Sequence, residues 1–262
     1  MELKQAIVVV TGASAGIGKA TAVAFAQRGA TVVLAARRLD RLESLADRIE
    51  RAGGSALALK VDVTDPREVD GLPSLIREVY QRPADVLINN AGIRGGPIQD
   101  LSYEQIRKVV DVNLLGVLYG TRAFLPQMLR DGRGHIVNVA SLAGRFASPG
   151  TGVYSATKHA VVAFSESTNY DAEGRGVHVT AVNPGFIDTE GFPQDDLPSW
   201  MVMRVERVAE AIVKVVRDEI APELSVPRWV SPLQAFRVLT PPLYRWGVRR
   251  ARRAGTARTK QP

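Results

Sequence analysis

Ala6-Ile7-Val8-Val9-Val10-Thr11-Gly12-Ala13-Ser14-Ala15-Gly16-Ile17-Gly18 is the stretch that decides the fold. A continuous, β-branched run over residues 6–10 suits a strand buried on both faces. Three glycines follow, and then a helical pattern over 17–28. Glycines in this setting let the backbone turn sharply, approach a pyrophosphate closely, and seat a helix against a sheet. The helix start offers unpaired N–H groups and a partial positive charge to phosphate oxygens. Gly12, Ser14, Gly16, Ile17 and Gly18 are therefore candidate nucleotide contacts. A glycine turn with no ligand is the competing reading, and a strand before with a helix after argues against it.

Outward from this loop the alternation continues. Apolar runs at 31–35, 55–61, 85–88, 135–140 and 177–182 read as strands. Helical patterns cover 40–52, Pro66–Tyr80, 102–130, 153–174 and 206–217; in the first of these Leu42, Leu45, Ala46 and Ile49 recur at helical spacing. This order predicts an α/β fold, a Rossmann-type, doubly wound and mostly parallel sheet with helices on both faces. Pro126 predicts a local distortion late in the 102–130 helix. Residues 223–230 read as a last strand, with Pro227 placing it at an edge or ending it. No repeat or linker divides the body, so a single domain is expected over 1–244, followed by a flexible basic tail over 245–262.

Composition narrows the chemistry. The chain has 262 residues, 45% of them apolar, and no cysteine. Disulfides, zinc–thiolate sites and thiol nucleophiles are excluded. His135, His159 and His178 show no ligand spacing, so no metal site is expected. The net charge of +7 lies in the tail, where Arg245, Arg249, Arg250, Arg252, Arg253, Arg258 and Lys260 occur with no acid. Without those seven, 27 basic residues face 27 acidic ones, so nucleic-acid binding is not expected from the body. The first ten residues show no leader pattern, and no apolar run reaches the ~18–20 residues of a membrane span. A cytoplasmic protein is expected, with weak contact to an anionic membrane surface as one role for the tail. Leu233, Phe236, Leu239, Leu243, Tyr244, Trp246 and Val248 precede or flank that tail. A C-terminal helix docked on the body or on a partner subunit is the plainer reading, because Pro241-Pro242 breaks any long helix.

The end of the second strand selects the cofactor. An acid there accepts from the ribose 2′-hydroxyl of NAD, whereas a base receives the 2′-phosphate of NADP. Here Ala35-Ala36 is followed by Arg37 and Arg38, with no acid before Asp40. Guanidinium groups bind phosphate through charge-assisted pairs, so NADP(H) is expected. Asp62 and Val63, after the third strand, are expected at the adenine edge. Asn89, Ala91 and Gly92, after the fourth, bring small groups and amides to the same crevice.

Tyr154-Ser155-Ala156-Thr157-Lys158 places a phenol and an amine one helical turn apart. A nearby ammonium favours the phenolate and is expected to lower the Tyr154 pKa. Ser141, just past the fifth strand, can hold a substrate oxygen against the Tyr154 hydroxyl. Asn113 can link a water to Lys158. Such a Tyr–Lys spacing alone is common by chance; its weight comes from the ordered set in which it falls.

That set resembles the short-chain dehydrogenase/reductase family. The matching positions are residues 11–18, Asp62, 89–92, Asn113, Ser141, Tyr154, Lys158 and Asn183-Pro184-Gly185. The resemblance implies a seven-stranded doubly wound sheet and a Ser–Tyr–Lys–Asn catalytic set. In it Tyr154 is the general acid/base, Lys158 tunes it and binds the nicotinamide ribose, Ser141 orients the substrate, and Asn113 supports a proton relay. Pro184, Gly185, Ile187 and Thr189 would lie along the nicotinamide. Residues about 186–205 correspond to the variable substrate lid, where Phe186, Phe192, Trp200 and Met203 suggest an apolar small-molecule substrate; packing on the body explains them equally. The helices at 102–130 and 153–174 are those through which relatives form homodimers or homotetramers. One departure is Ala15, where some NADP-dependent members carry a base, so the cofactor expectation rests on Arg37 and Arg38. The activity implied is NADP(H)-dependent reduction of a lipophilic ketone or steroid-like carbonyl. The alternatives are a 3-oxoacyl-thioester reductase and a non-catalytic NADP-binding scaffold.

Overall fold

The computed structural model describes residues 1–147, 149–194, 198–243 and 246. Its centre is a seven-stranded sheet of order β3-β2-β1-β4-β5-β6-β7, and every pairing is parallel. The strands are β1 (Ile7–Thr11), β2 (Thr31–Ala36), β3 (Ser55–Lys60), β4 (Val86–Asn89), β5 (Gly134–Val139), β6 (Val177–Pro184) and β7 (Glu223–Val226). The helices between them are α1 (Gly16–Ala26), α2 (Leu39–Arg51), α3 (Pro66–Tyr80), α4 (Tyr103–Val110), α5 (Gly116–Asp131), α6 (Gly152–Ala172) and α7 (Val205–Arg217).

The unbroken apolar character of β1 has a direct cause. Val8 and Val10 point into one core, with Val32, Leu34, Phe25 of α1, Leu42 of α2 and Ile212 of α7. Ile7 and Val9 point into the other, with Val33, Leu87, Ile76 of α3 and Phe124 of α5. Side chains alternate between faces along a strand, so a sheet covered on both sides must be apolar at every position. The chain first winds outward from β1 to β3, then returns to lay β4 on the other side of β1. That reversal, between β1 and β4, is where such sheets open a crevice at their carboxyl ends.

Local chemistry sets the helix ends. Ser102 and Gln105 form a reciprocal capping box at the start of α4. Asp65 caps α3, with Pro66 in its first turn. The long helix expected over 102–130 is present as α4 and α5 joined by a π-turn at Asp111–Leu115. The departure from α geometry therefore falls at Asn113, while α5 runs on through Pro126. The last strand stops at Val226, before Pro227; residues Arg228–Val230, expected as strand, form a single 3-10 turn instead. Pro227 also begins a second unit. Within it, Ser231–Leu239 is a helix, α8. Tyr244, Arg245 and 247–262, on which the expectations for the basic tail fall, lie outside the described residues. Among the described residues no helix is long and apolar enough to cross a membrane.

Candidate active site

The carboxyl ends of β1 and β4 are fastened to each other. The Thr11 hydroxyl accepts from the backbone N–H of Asn90 (3.0 Å) and of Ala91 (3.2 Å), and donates to the Ile88 carbonyl (3.3 Å). The Asn90 amide donates back to the carbonyls of Thr11 (2.9 Å) and Gly12 (3.3 Å). Gly12 has φ +67°, and a Cβ there would lie 2.8 Å from the Ala91 Cα. A Cβ on Gly18 would strike the Asn90 amide and reach 2.5 Å from the Gly12 carbonyl oxygen. Gly18→Ala should therefore destabilise the fold by about 1–3 kcal/mol and weaken binding of adenine dinucleotides. Chemical denaturation and a dinucleotide titration of the variant check both.

This loop fits a dinucleotide pyrophosphate. Helix α1 begins without a side-chain cap, since Ala15 occupies the cap position, and its first turn holds no acid. Its leading N–H groups are left for an anion. Gly16, with φ +53°, lies against Thr189, whose Cγ2 would be 3.1 Å from a Cβ there. The segment after β6 thus reaches the glycine loop at Thr189. Ile187 pairs with Met203 in a short parallel bridge. Gly185 donates to the Val226 carbonyl (2.8 Å), and a Cβ on it would be 3.3 Å from both Leu142 and Met203.

Just after β2, Arg38 lies across the loop, its Nε and Nη2 at 3.2 and 3.0 Å from the Ser14 hydroxyl. Arg37 is exposed; the contact with the loop falls to Arg38. Arg41, one turn further along the same face of α2, joins it: the Glu190 carboxylate accepts from Arg38 Nη1 (2.8 Å) and Arg41 Nη1 (2.5 Å). Asp62 accepts from the N–H and the hydroxyl of Thr64 (3.0 and 2.8 Å), which fixes the turn after β3. Val63 packs under Gly116. Asn89 departs from expectation. Its side chain is buried beneath α5, donating to Asn138 (2.9 Å) and Thr121 (3.3 Å), so it braces β4 and does not face the crevice.

At the other end stand the four catalytic-type residues. The Lys158 ammonium is buried, donates to the Val139 carbonyl (2.8 Å), and lies 5.8 Å from the centre of the Tyr154 ring. Burial pushes it down to about 8. Gly92 is adjacent: a Cβ there would be 3.7 Å from Lys158 Nζ and 3.5 Å from Asn113 Oδ1. The Tyr154 phenol is hydrogen-bonded to Ser141, whose Oγ also accepts from the Ala143 N–H (3.1 Å). Burial pushes this phenol above the ordinary tyrosine value, against the Ser141 bond and the charge of Arg94, which pull it down. In the chain itself the net direction is thus upward, opposite to the expectation from Lys158, because desolvation outweighs the nearby charges. Both ends of the Asn113 side chain bind the Ile93 backbone (2.8 and 2.9 Å). Asn113 lies in the π-turn, which displaces the main-chain hydrogen bonds there from the α register.

His135 is fully buried against Thr180 (2.8 Å) and held neutral, its pKa pushed down to about 3 by burial. Among the described residues no group of His, Asp and Glu is arranged to hold a metal.

Residues 6–196 match the profile of the short chain dehydrogenase family. An uncharacterised oxidoreductase of Myxococcus xanthus is 34% identical over 96% of this chain and 99% of its own length. A glycine betaine reductase of Emericella nidulans is 38% identical over 81% of this chain, which spans only 18% of that longer protein. Among solved structures, an actinorhodin polyketide ketoreductase with NADPH superposes with a TM-score of 0.78 at 29% identity, covering 85% of this chain and 95% of its own. A Beutenbergia cavernae protein assigned as an NAD(P)-dependent gluconate 5-dehydrogenase, with NADP bound, gives 0.78 at 31% identity over 86% of this chain and 97% of its own. The chain belongs to the short-chain dehydrogenase/reductase family, and is an oxidoreductase of that family.

Proposed function

We propose that the protein is an NADP(H)-dependent reductase acting on carbonyl groups of apolar small molecules. The observation that carries the reading is the Tyr154 phenol, held by Ser141 and backed by the Lys158 ammonium, at the end of a crevice whose other end offers Arg38, Arg41 and Ser14. The nicotinamide supplies the hydride when bound. Tyr154 gives its proton to the substrate oxygen as negative charge develops there. An ordinary phenol carries its proton at neutral pH, and burial raises the Tyr154 pKa further, in the direction that suits reduction. Ser141 offers a hydrogen bond to the same oxygen. Lys158, still mainly charged at neutral pH, stabilises the phenolate left behind. Gly12, Gly16 and the uncapped start of α1 would hold the pyrophosphate, and Thr189 would meet the nicotinamide end.

The cofactor assignment is tested at Arg38. Arg38→Asp should lower the preference for NADPH over NADH by roughly 10- to 100-fold, the worth of charge-assisted bonds to a phosphate. The ratio of kcat/KM for the two cofactors measures it, and an unchanged ratio sinks the assignment. The apolar substrate class is supported by Leu142 and Met203, which lie against Gly185. An NADPH-oxidation screen over ketones, steroids, quinones and acyl thioesters tests the class. Acyl thioesters are included because of the polyketide ketoreductase likeness. Pairing through α4–α5 and α6 into a dimer or tetramer belongs to the same reading; Tyr103 and Tyr170 on those helices are exposed.

A further inference from the structure

The turn at residues 189–192 touches both ends of the crevice. Thr189 and Phe192 pair across it, with the Phe192 N–H donating to the Thr189 carbonyl (2.9 Å). At its corner Glu190 bridges Arg38 and Arg41, as described above. At its far side the Phe192 ring lies 5.8 Å from the Tyr154 ring, centre to centre. A third tie follows, where Arg94 donates to the Pro193 carbonyl (3.0 Å). Four consecutive residues thus span the distance from the arginine pair to the catalytic phenol.

A carboxylate bridging two guanidinium groups offers oxygens in the way a phosphate does. Both guanidinium side chains remain about two-fifths exposed, at 42% and 43%, so an incoming anion can reach them. A phosphate carries more charge and three acceptor oxygens, and displaces a carboxylate. A ribose hydroxyl carries no charge and does not.

We propose that the 189–192 turn is a latch: Glu190 stands in for the 2′-phosphate on Arg38 and Arg41, and only a cofactor bearing that phosphate displaces it, drawing Phe192 from Tyr154. The inference rests on the NADP(H) reading and deepens it. It makes Glu190 a specificity-determining residue that contributes no bond to the bound cofactor. NAD(H) is disfavoured because it leaves the turn shut.

Adenosine 2′,5′-bisphosphate and 5′-AMP differ only in the phosphate at issue, and serve as probes with the full chain. By calorimetric titration, E190Q should bind the bisphosphate roughly three- to tenfold more tightly than wild type, the worth of two exposed ion pairs. Its affinity for 5′-AMP should not change. E190A should behave alike, which separates loss of the carboxylate from new contacts of the amide. In wild type, the bisphosphate should speed hydrogen exchange at the Phe192 amide, and 5′-AMP should not. If wild type shows no preference for the bisphosphate, the NADP(H) reading fails and takes the latch with it. If wild type prefers it but E190Q binds it no better, the latch alone is overturned. Weaker 5′-AMP binding by E190Q also overturns it, by making Glu190 a ribose ligand. Unchanged or slower exchange at Phe192 shows that the turn stays shut.

Discussion

Tyr154→Phe should lower turnover by roughly 10²- to 10⁴-fold, the usual contribution of a positioned general acid, while leaving NADP(H) affinity within a factor of a few. The substitution removes one oxygen and nothing else. The ring still packs beside Phe192, and Ser141 keeps its bond from the Ala143 N–H. Glycine loop, arginine pair and the Thr11–Asn90 fastening are untouched. What disappears is the phenol proton beside Ser141 and Lys158. Single-turnover kinetics with a separate cofactor titration distinguish chemistry from binding. A variant with retained turnover refutes the assigned role, and one that loses cofactor affinity in proportion reassigns Tyr154 to binding.

Lys158→Met should abolish most activity, on the order of 10²-fold or more for the loss of one stabilising charge at the reacting centre, and should change how stability responds to pH. Lys158 has a folded-state pKa of about 8 against an ordinary value of 10.5. Below pH 8 both states carry the proton, and folding bears the full cost of burying an ammonium. Between pH 8 and 10 the folded state sheds the proton while the unfolded state keeps it, so stability rises with pH. Wild type should gain about 2 kcal/mol on K158M across that window. Loss of the bond to the Val139 carbonyl adds a pH-independent cost of about 1 kcal/mol and leaves the slope alone. Above pH 10 the Tyr154 phenol, raised in the folded state, contributes with the opposite sign. Denaturant unfolding of both proteins at several pH values gives the slope; parallel curves refute the burial account.

Most of the architecture is legible in apolar periodicity. The runs at 6–10 and 135–140 and the helix beginning at Pro66 lie within a residue or so of β1, β5 and α3, because a doubly covered sheet demands apolar residues at every strand position. The π-turn at Asp111–Leu115 left no trace in composition, since the helix continues through it with the same residue types. Pro126 drew attention to the later part of α5, away from this turn. At the site, glycines were readable because each answers a steric demand. The amide pair was not: Asn89 and Asn90 are neighbours, and only strand alternation sends one into the core and the other onto Thr11. Arg41 could have been found, lying three residues beyond Arg38 on the first turn of α2. Glu190 could not, because its partners are some 150 positions away in sequence and it sits on an exposed turn. The upward direction of the Tyr154 pKa was likewise hidden, as spacing reports a neighbouring charge and says nothing of desolvation.

The Thr11 hydroxyl, with one donor bond to β4 and two acceptor bonds from the turn after it, makes the crevice asymmetric. The β1–β4 seam behaves as a fixed jaw. The opposite jaw is the chain after β6, held there by side-chain contacts of Glu190, Phe192 and Arg94 and by short bridges. Traffic of cofactor in and out is then governed by the stiffness of one side only. Loosening the turn should alter exchange rates, whereas loosening the seam should unfold the domain.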